Sequence, residues 1–274
     1  QSLDKPLLER LGRIHTRDMV FRSFDALRRA GFDNLNLDLM FAIPGQTMPV
    51  WRATLREAIA LGSEHLSSYE VIYEEDTPLF EQLKAGRLDA DEDLACDMFE
   101  ELAAQASTHG YRQYEVANFA KHLGPRPPDE VPDRACRHNV NYWRGGSFYG
   151  LGPSATSYVR GVRTRNRANT RLYCQALDKG QRAFESTETL SPLSRAGETA
   201  AFGLRMNAGW PFDEFIRVTG FDLRAEWRND MAELEGQGLA KSAPDRFQLT
   251  DRGLRFADLA AERFLRPDGI GSHL

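Results

Sequence analysis

The segment from Asn34 to Phe41 alternates with a period of two, and it constrains the fold more than any other part of the chain. One face carries only apolar side chains: Leu35, Leu37, Leu39 and Phe41. The other face carries Asn34, Asn36, Asp38 and Met40. This alternation predicts a β-strand whose leucine face packs on helices, with Asp38 on the opposite face.

Helix and strand patterns alternate around this segment. One helix is predicted to begin after Thr16 and end at Gly31, and a second to begin after Thr47. A second strand is predicted at 66–73, and a third helix ends near Gly110. This order is typical of parallel βα units. Two such strands cannot close a sheet, so we expect an incomplete barrel.

The composition excludes several classes of protein. The 274 residues carry a formal net charge of -5, which gives no electrostatic support for binding nucleic acid. Cys96, Cys136 and Cys174 are odd in number and widely spaced, so a disulfide framework is not expected. The chain has no apolar run of membrane-spanning length and no signal-peptide pattern. We therefore expect a cytoplasmic protein.

Two further parts of the sequence carry polar or helical patterns of interest. The dense cluster from His138 to Trp143 joins a histidine to aromatic residues, and from the residues alone its histidine is more often one bonded within a loop than a ligand. Helices are predicted at 192–206, 211–219 and 222–237, and a short hairpin follows them. That order predicts a small, winged-helix-like module.

Three segments resemble a known superfamily: Gln1-Ser2, Leu11 to His15, and Leu37 to Gln46. They are similar to the middle of the radical S-adenosylmethionine (radical-SAM) proteins that include oxygen-independent coproporphyrinogen III oxidase and the heme chaperones called HemW. The resemblance implies an α/β fold. A partial radical-SAM (βα) barrel would occupy residues 1–185, and a small, mostly helical C-terminal domain residues 186–274.

The resemblance also implies cofactors. Gln1, Arg13 and Asp38 match positions that contact S-adenosylmethionine in the superfamily. Ile72 and Thr156 align with further contacts in the oxidase branch, that of Thr156 being with a second molecule of the cofactor. From the residues alone, Asp38 at a strand end fits a ligand-binding role and a structural role equally well.

Ile72 alternates with Ser68 and Glu70, which is consistent with a position facing the barrel lumen, whereas the residues alone favour a plain core residue there. The superfamily holds a 4Fe-4S cluster with a Cys-x-x-x-Cys-x-x-Cys motif that this sequence lacks. We therefore expect this chain to be the C-terminal part of a longer protein, with the cluster ligands outside it.

The cluster His138, Asn139, Tyr142 and Trp143 resembles the signature of the heme-chaperone branch. The resemblance implies that these four residues bind heme, with His138 as a candidate iron ligand, and that the protein delivers heme to acceptor heme proteins. It leaves a homodimer and a transient membrane association open.

Two alternative functions remain. One is the oxidase reaction itself, a radical-SAM oxidoreduction that decarboxylates coproporphyrinogen III to protoporphyrinogen IX. The other is an interaction module without a cofactor.

Overall fold

The computed structural model describes residues 1–124 and 130–266, and the chain divides into two compact units. The first unit comprises Gln1–Ala135 and the second Cys136–Leu274. The domain boundary that the sequence predicts between residues 185 and 186 stays a prediction.

The first unit is a mixed α/β layer structure. Its elements are α1 (Lys5–Arg10), α2 (Arg17–Arg29), β1 (Asn36–Phe41), α3 (Met48–Ala60), β2 (His65–Glu70), α4 (Pro78–Lys84), α5 (Glu92–Thr108), β3 (Tyr111–Glu115) and β4 (Asn118–Lys121). The strands form one sheet in the order β1-β2-β4-β3. Strands β1 and β2 are parallel, whereas β4 is antiparallel to both β2 and β3. The parallel βα pairing predicted from the sequence is confirmed.

Local sequence explains where these elements begin. The Thr16 hydroxyl accepts a hydrogen bond from the Met19 amide at 3.4 Å and caps α2. Residues 113–118 belong to a tight hairpin between β3 and β4. The Glu115 carboxylate accepts the Ala117 amide at 3.1 Å, which satisfies the backbone in the turn.

The core of the first unit lies between the leucine face of β1 and the helices α3 and α5. Leu39, Leu55 and Leu102 are among its buried residues. Trp51 is fully buried there, and its indole donates a hydrogen bond to the Met98 carbonyl at 2.8 Å. Burial of this face fixes β1, so that its other face points away from the helices.

The second unit contains two small antiparallel sheets and several helices. Its elements are α6 (Arg137–Trp143), β5 (Thr156–Val159), β6 (Val162–Asn166), α7 (Thr170–Asp178), β7 (Phe184–Thr189), α8 (Pro192–Gly203), β8 (Trp210–Pro211), α9 (Phe212–Thr219), α10 (Leu223–Glu226), α11 (Arg228–Gly236), β9 (Ala240–Ser242), β10 (Arg246–Leu249), α12 (Asp251–Arg255) and α13 (Ala257–Glu262). The sheets have the orders β5-β6-β7 and β8-β10-β9.

The end of this unit follows the winged-helix-like order expected from the sequence, with helices α9 to α11 before the β9–β10 hairpin. Its core is aromatic. Trp210, Phe215, Trp227 and Phe264 form a chain of ring contacts with neighbouring centroids 5.2 to 6.3 Å apart. The sequence did not predict the β5-β6-β7 sheet, because β7 is polar and mostly exposed and shows no apolar alternation.

Candidate functional site

The first candidate site is the polar face of β1 and β2. In the parallel register Asn36 lies opposite His65, and Asp38 lies opposite Ser67. Asp38 is exposed, whereas its neighbour Leu39 is buried in the core. The aspartate therefore points away from the helices, as the alternation predicts.

The register corrects one expectation about β2. Ser68 and Glu70 were expected on the lumen face, but Ser68 lies opposite the core residue Leu39 and is itself buried. The face that continues Asp38 is instead the one carrying His65 and Ser67. The sequence misleads here because serine occurs on both faces of this strand, so polarity does not identify the lumen side.

A chain of hydrogen bonds runs along this polar face and ends at Asp38. The Asn36 amide donates to the Asp38 carboxylate at 2.7 Å. The side-chain oxygen Oδ1 of Asn36 lies 2.7 Å from His65 Nδ1, and His65 Nε2 lies 2.9 Å from the Tyr114 hydroxyl. These hydrogen bonds connect the exposed Asp38 carboxylate to the buried side chains of His65 and Tyr114.

The protonation of His65 is set by its surroundings. Burial penalises the imidazolium and lowers the pKa of His65 to about 4, although the Asp38 carboxylate acts in the opposite direction. A neutral ring has one N–H. Nδ1 faces the side-chain oxygen of Asn36, which accepts hydrogen bonds, so we assign the proton to Nδ1. Nε2 then accepts a hydrogen bond from the Tyr114 hydroxyl.

A second branch of the network crosses to β4. The Ser67 hydroxyl donates to the Asn118 side chain at 2.5 Å, and the Asn118 amide donates to the Glu115 carboxylate. Ser67, Asn118 and Glu115 are all buried. These residues were not predicted from the sequence. His65 and Ser67 are two positions apart, however, which is the spacing of side chains on one face of a strand.

Gln1 lies near Asp38, since both line one cavity, whereas Arg13 is exposed and is not among the residues that line it. The Gln1 carbonyl accepts the Met40 amide at 2.8 Å, which attaches the start of the chain beside β1. The structure thus brings Gln1 and Asp38 together, whereas the placement of Arg13 at the same site stays a prediction.

A cavity of about 220 Å³ lies beside them, and its lining includes Gln1 and Asp38. Pockets that enclose a whole small ligand usually measure at least roughly 300 Å³. The amide, the guanidinium and the exposed carboxylate suit the hydroxyls, carboxylate and amino group of S-adenosylmethionine. These residues fit one end of that cofactor.

The other two residues predicted to contact S-adenosylmethionine, Ile72 and Thr156, belong to different units of the chain. Ile72 follows β2 in the first unit, with 71% of its surface exposed. Thr156 begins β5 in the second unit, where it lines a different cavity.

The second candidate site is α6, which carries the motif at His138. His138 and Tyr142 are one helical turn apart, so they share a face of α6. The Phe148 ring contacts both, with centroids 6.4 Å from His138 and 5.0 Å from Tyr142. His138 is exposed. The structure therefore brings an accessible imidazole next to an aromatic wall.

Asn139 and Trp143 lie one turn apart on a neighbouring face of α6. The Trp143 ring packs edge-on against Tyr142 at 4.9 Å, and the Arg205 guanidinium lies 5.2 Å from its centroid. The Trp143 indole N–H is buried and has no hydrogen-bond partner in the described part of the chain. These aromatic surfaces and the imidazole fit a heme, whose iron accepts histidine and whose ring packs on aromatic faces.

The cysteines do not fit an iron–sulfur cluster. Within residues 1–124 and 130–266, no three His, Cys, Asp or Glu side chains are grouped as metal ligands would be. Cys96, Cys136 and Cys174 are free of disulfides and lie in separate elements or loops. In the same described ranges, no helix is long and apolar enough to cross a membrane.

Comparisons with known proteins decide the family. The HemN C-terminal domain model matches residues 190–256. The heme chaperone HemW of Lactococcus lactis is 30% identical over 269 residues, which cover 98% of this chain and 68% of that protein. This chain belongs to the HemW family.

Other HemW proteins agree. The heme chaperone HemW of Escherichia coli is 31% identical, with 97% of this chain and 66% of that protein covered. The Bacillus subtilis HemW is 30% identical, with 92% and 64% covered. The chain thus spans about two thirds of the length of these HemW relatives.

A solved structure supports the fold. The coproporphyrinogen III oxidase HemN of Escherichia coli, described as a radical SAM enzyme, superposes with a TM-score of 0.76. It is 19% identical, and the match covers 96% of this chain and 62% of the oxidase. The radical-SAM α/β fold predicted for this HemW-family chain is confirmed.

Proposed function

We propose that this chain supplies the heme-binding part of a radical-SAM heme chaperone, which binds heme and passes it to acceptor heme proteins. The exposed His138 beside the rings of Tyr142 and Phe148 is the observation that carries the proposal. The relatives named as heme chaperones support the same function.

In this proposal the residues of α6 have distinct roles. His138 offers an imidazole nitrogen to the heme iron, and the Tyr142 and Phe148 rings pack against the porphyrin. Trp143 extends the aromatic wall through its edge-on contact with Tyr142. Asn139 is half-buried beside it and offers an amide. An exposed ligand suits transfer, because a chaperone has to release its heme to an acceptor.

The test is a hemin titration of the whole chain, followed by the Soret band. His138→Ala is expected to weaken hemin binding about tenfold or more and to shift the Soret maximum, because the iron loses its axial nitrogen. His109→Ala is the matched control, since His109 is exposed but lies outside the motif, in the first unit. Equal Soret titrations for the two variants would remove His138 from the site.

We propose further that Gln1, Arg13 and Asp38 hold one end of S-adenosylmethionine, with Ile72 of the same unit as an additional contact. Thr156, in the second unit, stays a prediction for a contact with a second S-adenosylmethionine molecule. The cofactor supplies a sulfonium nucleoside. The residues of this chain only bind and orient it, and the 4Fe-4S cluster would need ligands other than those described here. The hydrogen bond from Asn36 to Asp38 supports this role, because it fixes the carboxylate oxygen that remains free for the cofactor.

Equilibrium dialysis of the chain with S-adenosylmethionine tests this second proposal. Binding is expected to be weak, because the cavity fits only part of the cofactor. Asp38→Asn is expected to weaken it further by about tenfold, whereas Asp25→Asn, at an exposed position of α2, leaves it unchanged. Equal affinity in both variants would exclude Asp38.

The oxidase reaction is the rival activity. A protein spanning the full length of the HemW relatives, incubated anaerobically with coproporphyrinogen III, is expected to form no protoporphyrinogen IX. Formation of that product would contradict the chaperone assignment.

A further inference from the structure

The second unit contains a cavity of about 480 Å³. Its lining residues come from α6, β5, β6 and α8 and from the loop after α6. This volume lies in the range of roughly 300 to 1,000 Å³ that is usual for small-molecule sites.

The walls of the cavity are largely aromatic. Tyr142, Phe148, Tyr158 and Phe202 line it. Their rings are in contact, with centroid distances of 5.0 Å from Tyr142 to Phe148, 6.3 Å from Phe148 to Tyr158 and 5.6 Å from Tyr142 to Phe202. Contiguous aromatic surfaces of this kind favour a flat, apolar ring system over a flexible polar ligand.

Helix α8 brings charged and polar groups to the same cavity. Arg195, Thr199 and Phe202 are spaced by four and three residues, so they form one stripe along the helix. All three line the cavity, as does Glu198. One helix face therefore presents a cation, a hydroxyl and an aromatic ring together.

The charges in the cavity do not cancel. Arg163 is neutralised twice, because its guanidinium lies 2.6 Å from Glu188 and 2.5 Å from Glu198. The Arg195 guanidinium, by contrast, forms no hydrogen bond or ion pair with a side chain or backbone group in the described part of the chain, although the backbone of Arg195 is bonded within α8. One uncompensated positive charge thus remains among the aromatic walls.

The guanidinium of Arg195 lies close to the backbone of Gly161. Its Nη1 atom lies so close to Gly161 that a Cβ there would be only 2.5 Å away. It also acts on Tyr158, where burial raises the pKa of the hydroxyl and the Arg195 charge lowers it. A half-buried guanidinium without a carboxylate partner is well suited to bind a carboxylate of a ligand through two parallel hydrogen bonds.

We propose that this cavity binds a planar ring system that carries a carboxylate, with the ring against the aromatic walls and the carboxylate on Arg195. The inference rests on the proposed heme-binding function, and it assigns the porphyrin carboxylates a partner separate from the iron ligand. Tyr142 joins the two, because it lines the cavity and shares a face of α6 with His138.

Iron-free protoporphyrin IX is the decisive probe, because it retains both carboxylates but cannot be ligated through a metal. Its binding to the whole chain can be followed by fluorescence anisotropy. Arg195→Gln is expected to weaken the affinity about tenfold, and Arg195→Lys to recover part of the loss. Arg171→Gln is the control, since Arg171 is an exposed arginine of the same unit, and no change is expected. The dimethyl ester of protoporphyrin IX is expected to bind all variants equally.

The outcomes separate this inference from the proposed function. Hemin binding that depends on His138 but not on Arg195 would overturn the cavity assignment and leave the chaperone proposal intact. Protoporphyrin IX binding that depends on Arg195, with hemin binding indifferent to His138→Ala, would support the cavity and overturn the iron ligand. A wild-type chain that binds neither compound would overturn both.

Discussion

Protonation of His65 is expected to destabilise the first unit at acid pH. In the folded chain the pKa of His65 is about 4, compared with an ordinary value of 6.5. Between these two values the unfolded chain binds the proton and the folded chain does not. Stability therefore falls as the pH is lowered from about 6.5 towards 4 and is fully present above that window.

The size of the effect follows from the two pKa values. Each pH unit within the window changes the free energy of unfolding by about 1.4 kcal/mol. The gap between 6.5 and about 4 then corresponds to about 3 kcal/mol lost at pH 4. The whole pKa shift of His65 is converted into free energy because only 4% of the residue is exposed, and solvent screens the charge of a buried group little.

His65→Gln isolates this contribution. The glutamine amide can accept from Tyr114 and donate to Asn36, but it does not titrate. Urea unfolding of the first unit, followed by hydrogen exchange of β2 peptides, measures the free energy at each pH. When the pH is lowered from about 7 to about 4, the free energy of unfolding of the wild-type chain is expected to fall by about 3 kcal/mol more than that of His65→Gln.

Two results would refute this reasoning. One is a parallel pH dependence for the two proteins. The other is an imidazole resonance of His65 that titrates near 6.5 in an NMR experiment. Either would mean that the ring is solvated in the folded chain.

Two packing predictions concern the cores. Leu102→Ala is expected to lower the free energy of unfolding of the first unit by about 2 to 5 kcal/mol, because Leu102 is fully buried. Leu27 is 42% exposed, so Leu27→Ala is expected to lower the same free energy much less. Gly203→Ala would place a methyl group 2.2 Å from the Trp210 ring, so a clear loss of Tm in calorimetry is expected. Gly236→Ala, in open space on a helix, is expected to leave Tm unchanged or raise it. Equal Tm values for the two glycine variants would contradict the packing at Trp210.

Much of the first unit was predictable because its signals are local. Helix α2 begins after Thr16, where a hydroxyl accepts a backbone amide one turn ahead. The alternation around Asp38 predicted its face, since burying Leu39 leaves the neighbouring side chain on the other side of the strand. In the second unit, by contrast, helix α6 was not predicted, so the shared face of His138 and Tyr142 is a finding of the structure.

The remaining features depend on residues that are distant in the sequence. The sequence by itself determined that Asp38 faces away from the helices, because this follows from the local period of two. Only the tertiary structure decided that Tyr114 and His65 support Asp38 through Asn36, that His138 shares a helix face with Tyr142, and that the Arg195 guanidinium forms no ion pair with the residues that the structure describes. Strand register and helix packing bring these groups together or keep them apart, and no local pattern encodes them.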